Sequence, residues 1–364
     1  MKIGILTGGG DCPGLNAVIR AAAKSALKKG WEVIGFKDGY KGLIENKFIK
    51  LKDKDVSGVI TKGGTILGTS NKANPFEYTL KPFGTSAAPR DMSSKAIANF
   101  RKHKLSALIT IGGDGSLILA DKFHKKGLPV IGVPKTIDND LSATDLTFGF
   151  GSALSVATDA IDRLHTTAES HHRILIVETM GRYAGWIALR AGIAGGGDII
   201  LIPEIPYKNE DIVKAIKNRR KLGKHFSIVV VAEGAKPANG KMTVKKLIEG
   251  SPEPIRLGGI SYKIAEMLNK EVKLESRVVV LGHLQRGGIP TAFDRWLATG
   301  FGIKAVEMAG NKKFGRMASF RKFQFTDVKI KDAIKKLKRV SPKSHEIKMA
   351  VNVGMSFGNT EITG

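Results

Sequence analysis

The chain has 364 residues, 42% of them hydrophobic, with 43 glycines and 59 Lys and Arg against 33 Asp and Glu, a formal charge of +26. That length is more than one hydrophobic core ordinarily organises, so two lobes are expected. The single cysteine, Cys12, excludes an intramolecular disulfide and suits a reducing cytoplasm, and neither a membrane span nor a signal-peptide core is legible.

Residues 2–7 read as a first strand, 8–14 as a glycine turn and 15–29 as a helix with apolar positions at Leu15, Val18, Ile19, Ala22 and Leu27. Gly30 closes that helix in the left-handed cap position. Further strands are expected at 33–36, 107–111, 130–133, 174–177, 199–202, 228–232 and 278–281. Helices are expected at 117–126, 152–166, 183–193, 209–222 and 260–268. Near-continuous apolar strands alternating with helices predict an α/β fold of two lobes, each a mostly parallel sheet covered on both faces. Residues 74–94 and 236–254 read as surface insertions, and 329–339 as an amphipathic helix with a charged outer face. The lysines are scattered and the aromatics, at 7%, are not interleaved with them. Phosphorylated small substrates therefore account for the charge better than a nucleic acid does.

Three strand ends carry the chemistry. Pro134-Lys135-Thr136-Ile137-Asp138-Asn139-Asp140 follows the apolar strand 130–133 and brings two carboxylates together, which requires a cation, a proton or solvent to relieve them. Gly112-Gly113-Asp114-Gly115-Ser116 stands between a strand and a helix, where glycines let a phosphate reach backbone N–H groups and an acid can hold a metal ion on it. The first turn, 8–14, lacks the dinucleotide fingerprint because Pro13 stands where a final glycine belongs. Residues 63–70 resemble a phosphate loop but have Thr69 in place of its lysine. Arg173 and Arg277 precede strands, whereas Met180-Gly181-Arg182 and Gly282-His283-Leu284-Gln285-Arg286-Gly287-Gly288 follow the same two strands. Arginines bracketing two strands in this way suit bidentate phosphate recognition.

Together, Gly9-Gly10-Asp11 with Pro13-Gly14-Leu15-Asn16, Gly112 to Ser116, Pro134 to Asp140, Met180 to Tyr183 and Gly282 to Gly288 resemble the 6-phosphofructokinase family. The motifs run in family order from residue 3 to about residue 300. The resemblance implies the Rossmann-like phosphofructokinase fold. We expect a larger nucleotide-binding lobe at 1–149 plus 285–335, and a smaller sugar-phosphate lobe at 150–284 plus 336–364. It further implies transfer of the ATP γ-phosphoryl group to the 1-hydroxyl of fructose 6-phosphate, with Mg2+ as cofactor. Asp138 matches the general base, Thr136 a contact of the transferred group, and Gly10 and Arg182 groups that stabilise its charge. Asp114 matches a magnesium ligand with Asp140 supporting it. Ile137, Met180, Gly181, Glu233, His283, Gln285 and Arg286 fall on the sugar-phosphate side. Tyr40, Asn71, Lys72, Gly112, Gly113, Gly115 and Ser116 fall on the nucleotide side. Arg173 and Arg277 match residues that reach the 6-phosphate from a neighbouring subunit, which implies a homo-oligomer, dimer or tetramer.

Two departures stand out. Asn71 replaces an arginine that bridges the two substrates' phosphates, leaving Lys72 to take that part as a point charge. His165 replaces an arginine of the effector site in nucleotide-regulated enzymes. For the donor, Gly115 is the residue that goes with ATP, while Lys135 is shared with pyrophosphate users. An acid in place of Gly115 would fill and charge the space of the α-phosphate, whereas a lysine blocks nothing, so ATP is expected over pyrophosphate. Lipid and NAD kinase relatives share Gly-Gly-Asp-Gly but lack the 282–288 site. A non-catalytic basic protein on the same scaffold is disfavoured by the presence of Asp114, Asp138 and Arg182.

Overall fold

The structure is a computed structural model that describes residues 1–79, 88–247, 255–272 and 274–362. The two stretches expected at the surface, 74–94 and 236–254, lie partly outside the described residues. The chain begins with β1 (Lys2–Thr7), α1 (Leu15–Lys28), β2 (Glu32–Phe36), α2 (Tyr40–Glu45), β3 (Phe48–Lys50), α3 (Asp53–Val56) and α4 (Ser93–Lys102). There follow β4 (Ala107–Gly112), α5 (Asp114–Lys125), β5 (Val130–Pro134), α6 (Phe150–His171), β6 (Ile174–Thr179), α7 (Trp186–Ala194) and β7 (Ile199–Leu201). Next come α8 (Asn209–Lys221), β8 (Ser227–Ala232), β9 (Val244–Leu247), β10 (Ile255–Leu257), α9 (Ile260–Glu271), β11 (Ser276–Val280) and a 3-10 turn (Gly282–Arg286). The chain closes with α10 (Ala292–Gly310), β12 (Arg316–Arg321), β13 (Gln324–Lys329), α11 (Ile330–Ala333) and α12 (His345–Asn352).

Two principal sheets result. One has the order β13-β12-β5-β4-β1-β2-β3, parallel except for its edge strands β3 and β13. The other, β11-β6-β8-β7, is parallel throughout. Strands such as β4, β5, β6 and β8 are buried at every position, which is why their sequences run apolar rather than alternating. A single buried cluster joins the sheets, with Ile109 and Val133 from one, Val177 and Val230 from the other, and Ala153, Ala157 and Ile161 of α6 between. No described helix is long and apolar enough to cross a membrane.

Local expectations hold closely. Helix α1 buries Leu15, Val18, Ile19 and Ala22, and Gly30 after it sits at φ +72°. Two differ. The helix expected from 117 starts at Asp114, so Asp114, Gly115 and Ser116 form its first turn rather than a loop before it. The amphipathic helix expected over 329–339 is helical only at Ile330–Ala333. Beyond that short turn the backbone is drawn into a bridge between Leu337 and Leu141, and the lysines no longer share one solvated face.

Candidate active site

The site is assembled from turns at the carboxyl ends of parallel strands, where crossover geometry leaves a crevice. The turn after β1 lies over the start of α5. Gly8 N–H donates to Ile111 O at 2.9 Å, and a Cβ on Gly8 would stand 2.6 Å from Ser116 Oγ, so any larger residue would push against Ser116. Segment 63–70 is fastened to the same turn. Thr69 Oγ1 donates to Gly9 O at 2.7 Å, Thr7 Oγ1 to Gly68 O at 2.6 Å, and Gly9 N–H to Ser70 O at 3.1 Å. Asn16 braces that loop from below, accepting from Ile66 N–H at 2.8 Å and donating to Lys62 O at 3.0 Å. The loop ends at Asn71 and Lys72, both exposed at its rim.

Tyr40 is buried beneath these turns. Its hydroxyl donates to Ser116 O at 3.1 Å, and its ring stacks on Phe123. Burial pushes that phenol well above its ordinary range, so it acts as a neutral donor. Gly112 ends β4, Gly113 caps α5, and Asp114 is the first helical residue, where the helix dipole favours an anion. A Cβ built on Gly115 meets nothing within 4 Å. The space beside it is therefore open, and an acidic side chain would enter it without disturbing the fold.

Beside it lies the segment after β5, whose Lys135 N–H donates to Gly112 O at 3.0 Å. Lys135 is buried, and its ammonium donates to Gly10 O, tying this segment to the first turn. Desolvation lowers its pKa, with Arg286 adding to the effect and Asp11 and Asp114 opposing it. Thr136 Oγ1 accepts from Asp138 N–H at 3.0 Å, Thr147 Oγ1 donates to Thr136 O at 2.7 Å, and Ile137 is buried beneath. Burial, then the charges of Asp138 and Asp114, push Asp140 up to about 7. The repulsion that Asp138 and Asp114 exert on Asp140 is of the kind a hard divalent cation would relieve. No group of three Cys, His, Asp or Glu forms a metal cage among the described residues.

The second sheet supplies the far wall. Met180, Gly181 and Arg182 follow β6, and Glu233 and Gly234 follow β8. Gly234 N–H donates to Gly181 O at 3.3 Å, and Gly181 takes φ +130°, where a side chain would be strained. Gln285, fully buried, accepts from Met180 N–H at 3.3 Å and donates to Gly282 O at 3.2 Å, which joins the 282–288 turn to this wall. Arg286 Nη1 donates to Asp11 O at 3.0 Å, and a Cβ on Gly10 would stand 3.1 Å from that nitrogen. Burial, then Asp138 and Glu178, raise Glu233 to about 7, against the opposing pull of Arg182 and Arg286. Asp138, Arg182 and Arg286 are thus all near enough to Glu233 to act on it. His283 lies exposed in the 282–288 turn.

Arg173 and Arg277 are not brought to this crevice. Arg173 immediately precedes β6 and Arg277 is the second residue of β11, and both pair with Glu275. The turns at 180–182 and 282–288 leave the opposite ends of these strands. Six extended residues separate the two ends of β6, a span of about 20 Å.

Three residues around the Asp138 segment escape sequence reading: Thr147, Trp186 and Lys338. Asn139 Oδ1 accepts from Thr147 N–H at 3.2 Å and from Lys338 Nζ at 2.9 Å, the latter across 199 positions of sequence. A lysine in a lysine-rich run carries no signal of such a role.

A family model described as phosphofructokinase matches residues 2–309. The chain is 52% identical to ATP-dependent 6-phosphofructokinase 2 of Clostridium perfringens over 360 residues, covering 98% of each chain. It is 46% identical to a pyrophosphate–fructose 6-phosphate 1-phosphotransferase of Streptomyces coelicolor, covering 98% of this chain and all of the other. Among solved structures, the T-state phosphofructokinase of Pichia pastoris superposes with a TM-score of 0.79 at 30% identity, over 99% of this chain and 38% of that longer one. A crevice built from these turns, on this pair of sheets, agrees with those likenesses along nearly the whole length: the chain belongs to the phosphofructokinase family.

Proposed function

We propose that the protein transfers the γ-phosphoryl group of ATP to the 1-hydroxyl of fructose 6-phosphate, giving fructose 1,6-bisphosphate and ADP. The observation that carries this reading is that Asp138 acts on Glu233 together with Arg182 and Arg286, and on Asp140 together with Asp114, while Lys135 of the same segment is tied to Gly10 O. In this reading Asp138 takes the proton of the sugar 1-hydroxyl as its oxygen attacks phosphorus. Thr136 touches the moving group, and the Gly10 N–H and Arg182 meet the charge on its oxygens. Asp114, with Asp140 behind it, would hold Mg2+, which when bound neutralises phosphate charge. Glu233, His283, Arg286, Met180 and Gly181 hold the sugar phosphate. We further assign the first sheet to the nucleotide lobe and the second to the sugar-phosphate lobe.

ATP is favoured as donor because the space beside Gly115 is open. Lys135 donates to Gly10 O, so its ammonium has a partner within the chain that ties two turns together. The relative with the pyrophosphate-dependent name keeps the second donor in view. The test is a matrix of ATP and pyrophosphate against fructose 6-phosphate and other sugar phosphates. Turnover with ATP and fructose 6-phosphate is expected, and turnover with pyrophosphate alone overturns the donor assignment.

Arg173 and Arg277 support a site shared between copies of the chain, since within one chain they stand at the wrong end of their strands. Arg173→Ala is expected to raise the KM for fructose 6-phosphate about 10- to 100-fold, as for loss of a charged hydrogen bond, with kcat little changed. A dilute monomer with full activity refutes the shared site.

A further inference from the structure

Lys338 lies in the segment that the sequence reads as an outward-facing helix. Instead its ammonium points into the fold and spends its N–H groups on one loop. It donates to Asn139 Oδ1 at 2.9 Å, Thr144 O at 3.1 Å and Asp145 O at 2.9 Å. An ammonium has three N–H groups and here each meets an oxygen. The Lys338 backbone N–H also donates to Asp140 O at 2.7 Å, and Ser142 Oγ donates to Lys336 O at 2.7 Å. The loop from 138 to 147 needs such a clamp. Asn139 and Ala143 both sit at positive φ, and Asn139, Thr144 and Thr147 are buried, so the loop has unpaired carbonyls to satisfy and backbone strain to hold.

The same segment reaches the opposite wall. Trp186 Nε1 donates to Lys338 O at 2.8 Å, and Val340 N–H donates to Glu204 Oε1 at 2.8 Å. Glu204 in turn accepts from Gly185 N–H at 3.1 Å, at the start of α7 and three residues beyond Arg182. One short strap therefore holds both the loop bearing Asp138 and the turn bearing Arg182.

We propose that Lys338 is a positioning residue for phosphoryl transfer: through Asn139 and the carbonyls of Thr144 and Asp145 it fixes the loop that presents Asp138, and through its own backbone it holds that loop in register with the Arg182 turn. It touches neither substrate, and the proposal rests on the assignment of Asp138 as base. Displacing a reacting group by about 1 Å costs on the order of 100-fold in rate while leaving ground-state contacts intact. The expected signature is therefore a loss in kcat without a loss in binding.

The test compares Lys338→Met and Lys338→Arg with the wild type and with Lys335→Met, an exposed neighbour, in steady-state kinetics, thermal unfolding and amide exchange of the substrate-free protein. Lys338→Arg keeps the charge, but its flat guanidinium cannot aim three donors at three convergent oxygens. For Lys338→Arg we expect kcat about 10-fold lower, both KM values within about threefold, and faster exchange at 139–147. For Lys338→Met we expect a kcat loss of about 100-fold with the same KM pattern. Wild-type kcat in Lys338→Arg overturns the proposal. So does a Lys338→Met protein whose lost activity follows only its unfolded fraction. If the wild type itself transfers no phosphoryl group, the base assignment falls and takes this inference with it. An active wild type beside an equally active Lys338→Arg sinks this inference alone.

Discussion

Asp138→Asn is expected to lower kcat by about 10²- to 10⁴-fold while KM for both substrates stays near its wild-type value. The amide keeps the shape of the carboxylate but loses its negative charge and with it the capacity to accept the proton of the sugar hydroxyl. The backbone around it has independent supports: Thr136 Oγ1 accepts its N–H, Thr147 holds Thr136 O, and Lys338 holds Asn139. The substitution should therefore leave the fold intact, and removing the Asp138 charge also relieves repulsion on Asp140. Steady-state kinetics with both substrates varied, beside a thermal melt, separate a chemical defect from a structural one. Near-normal turnover removes Asp138 from the role of base.

Gly115→Asp should abolish efficient use of ATP. A Cβ at this exposed position meets nothing within 4 Å, and φ is not in the left-handed region, so the substitution costs the fold little. An acid in the first turn of α5 even suits the helix dipole. Against a bound nucleotide the outcome reverses, because a carboxylate set against a phosphate costs several kcal/mol. The expected fall in kcat/KM for ATP is about 100-fold or more, with an unchanged melting temperature and unchanged fructose 6-phosphate binding. Measuring kcat/KM for ATP and direct binding of the sugar phosphate checks both halves. Wild-type use of ATP by this variant contradicts the placement of the nucleotide along the Gly115 side of the crevice.

Much of the fold is legible because parallel strands buried on both faces must be written as apolar runs. Strands β1, β4, β5, β6 and β8 fall within a residue or two of the expected positions at most ends. The start of α5 was less legible, since Gly113-Asp114-Gly115 reads as a turn until the cap is seen on Gly113. The 329–339 segment misled for a different reason. Its lysine spacing satisfies a helical template, but pairing of Leu337 with Leu141 and the demands of a buried loop outweigh local propensity.

By itself the sequence determined the alternation of strands and helices, the turns that could face phosphates, and the family to which the chain belongs, because these depend on residue types at short, fixed spacings. Only the tertiary structure decided which distant groups meet. It brought Arg286 to the first turn 275 positions away, tied Lys135 to Gly10, and set Arg173 and Arg277 at the far end of the second sheet. It also turned Lys338 inward onto Asn139. The physical reason is that a charged side chain looks the same in sequence whether it is solvated or buried. Its task is set by which unpaired oxygens the folded backbone places within its reach.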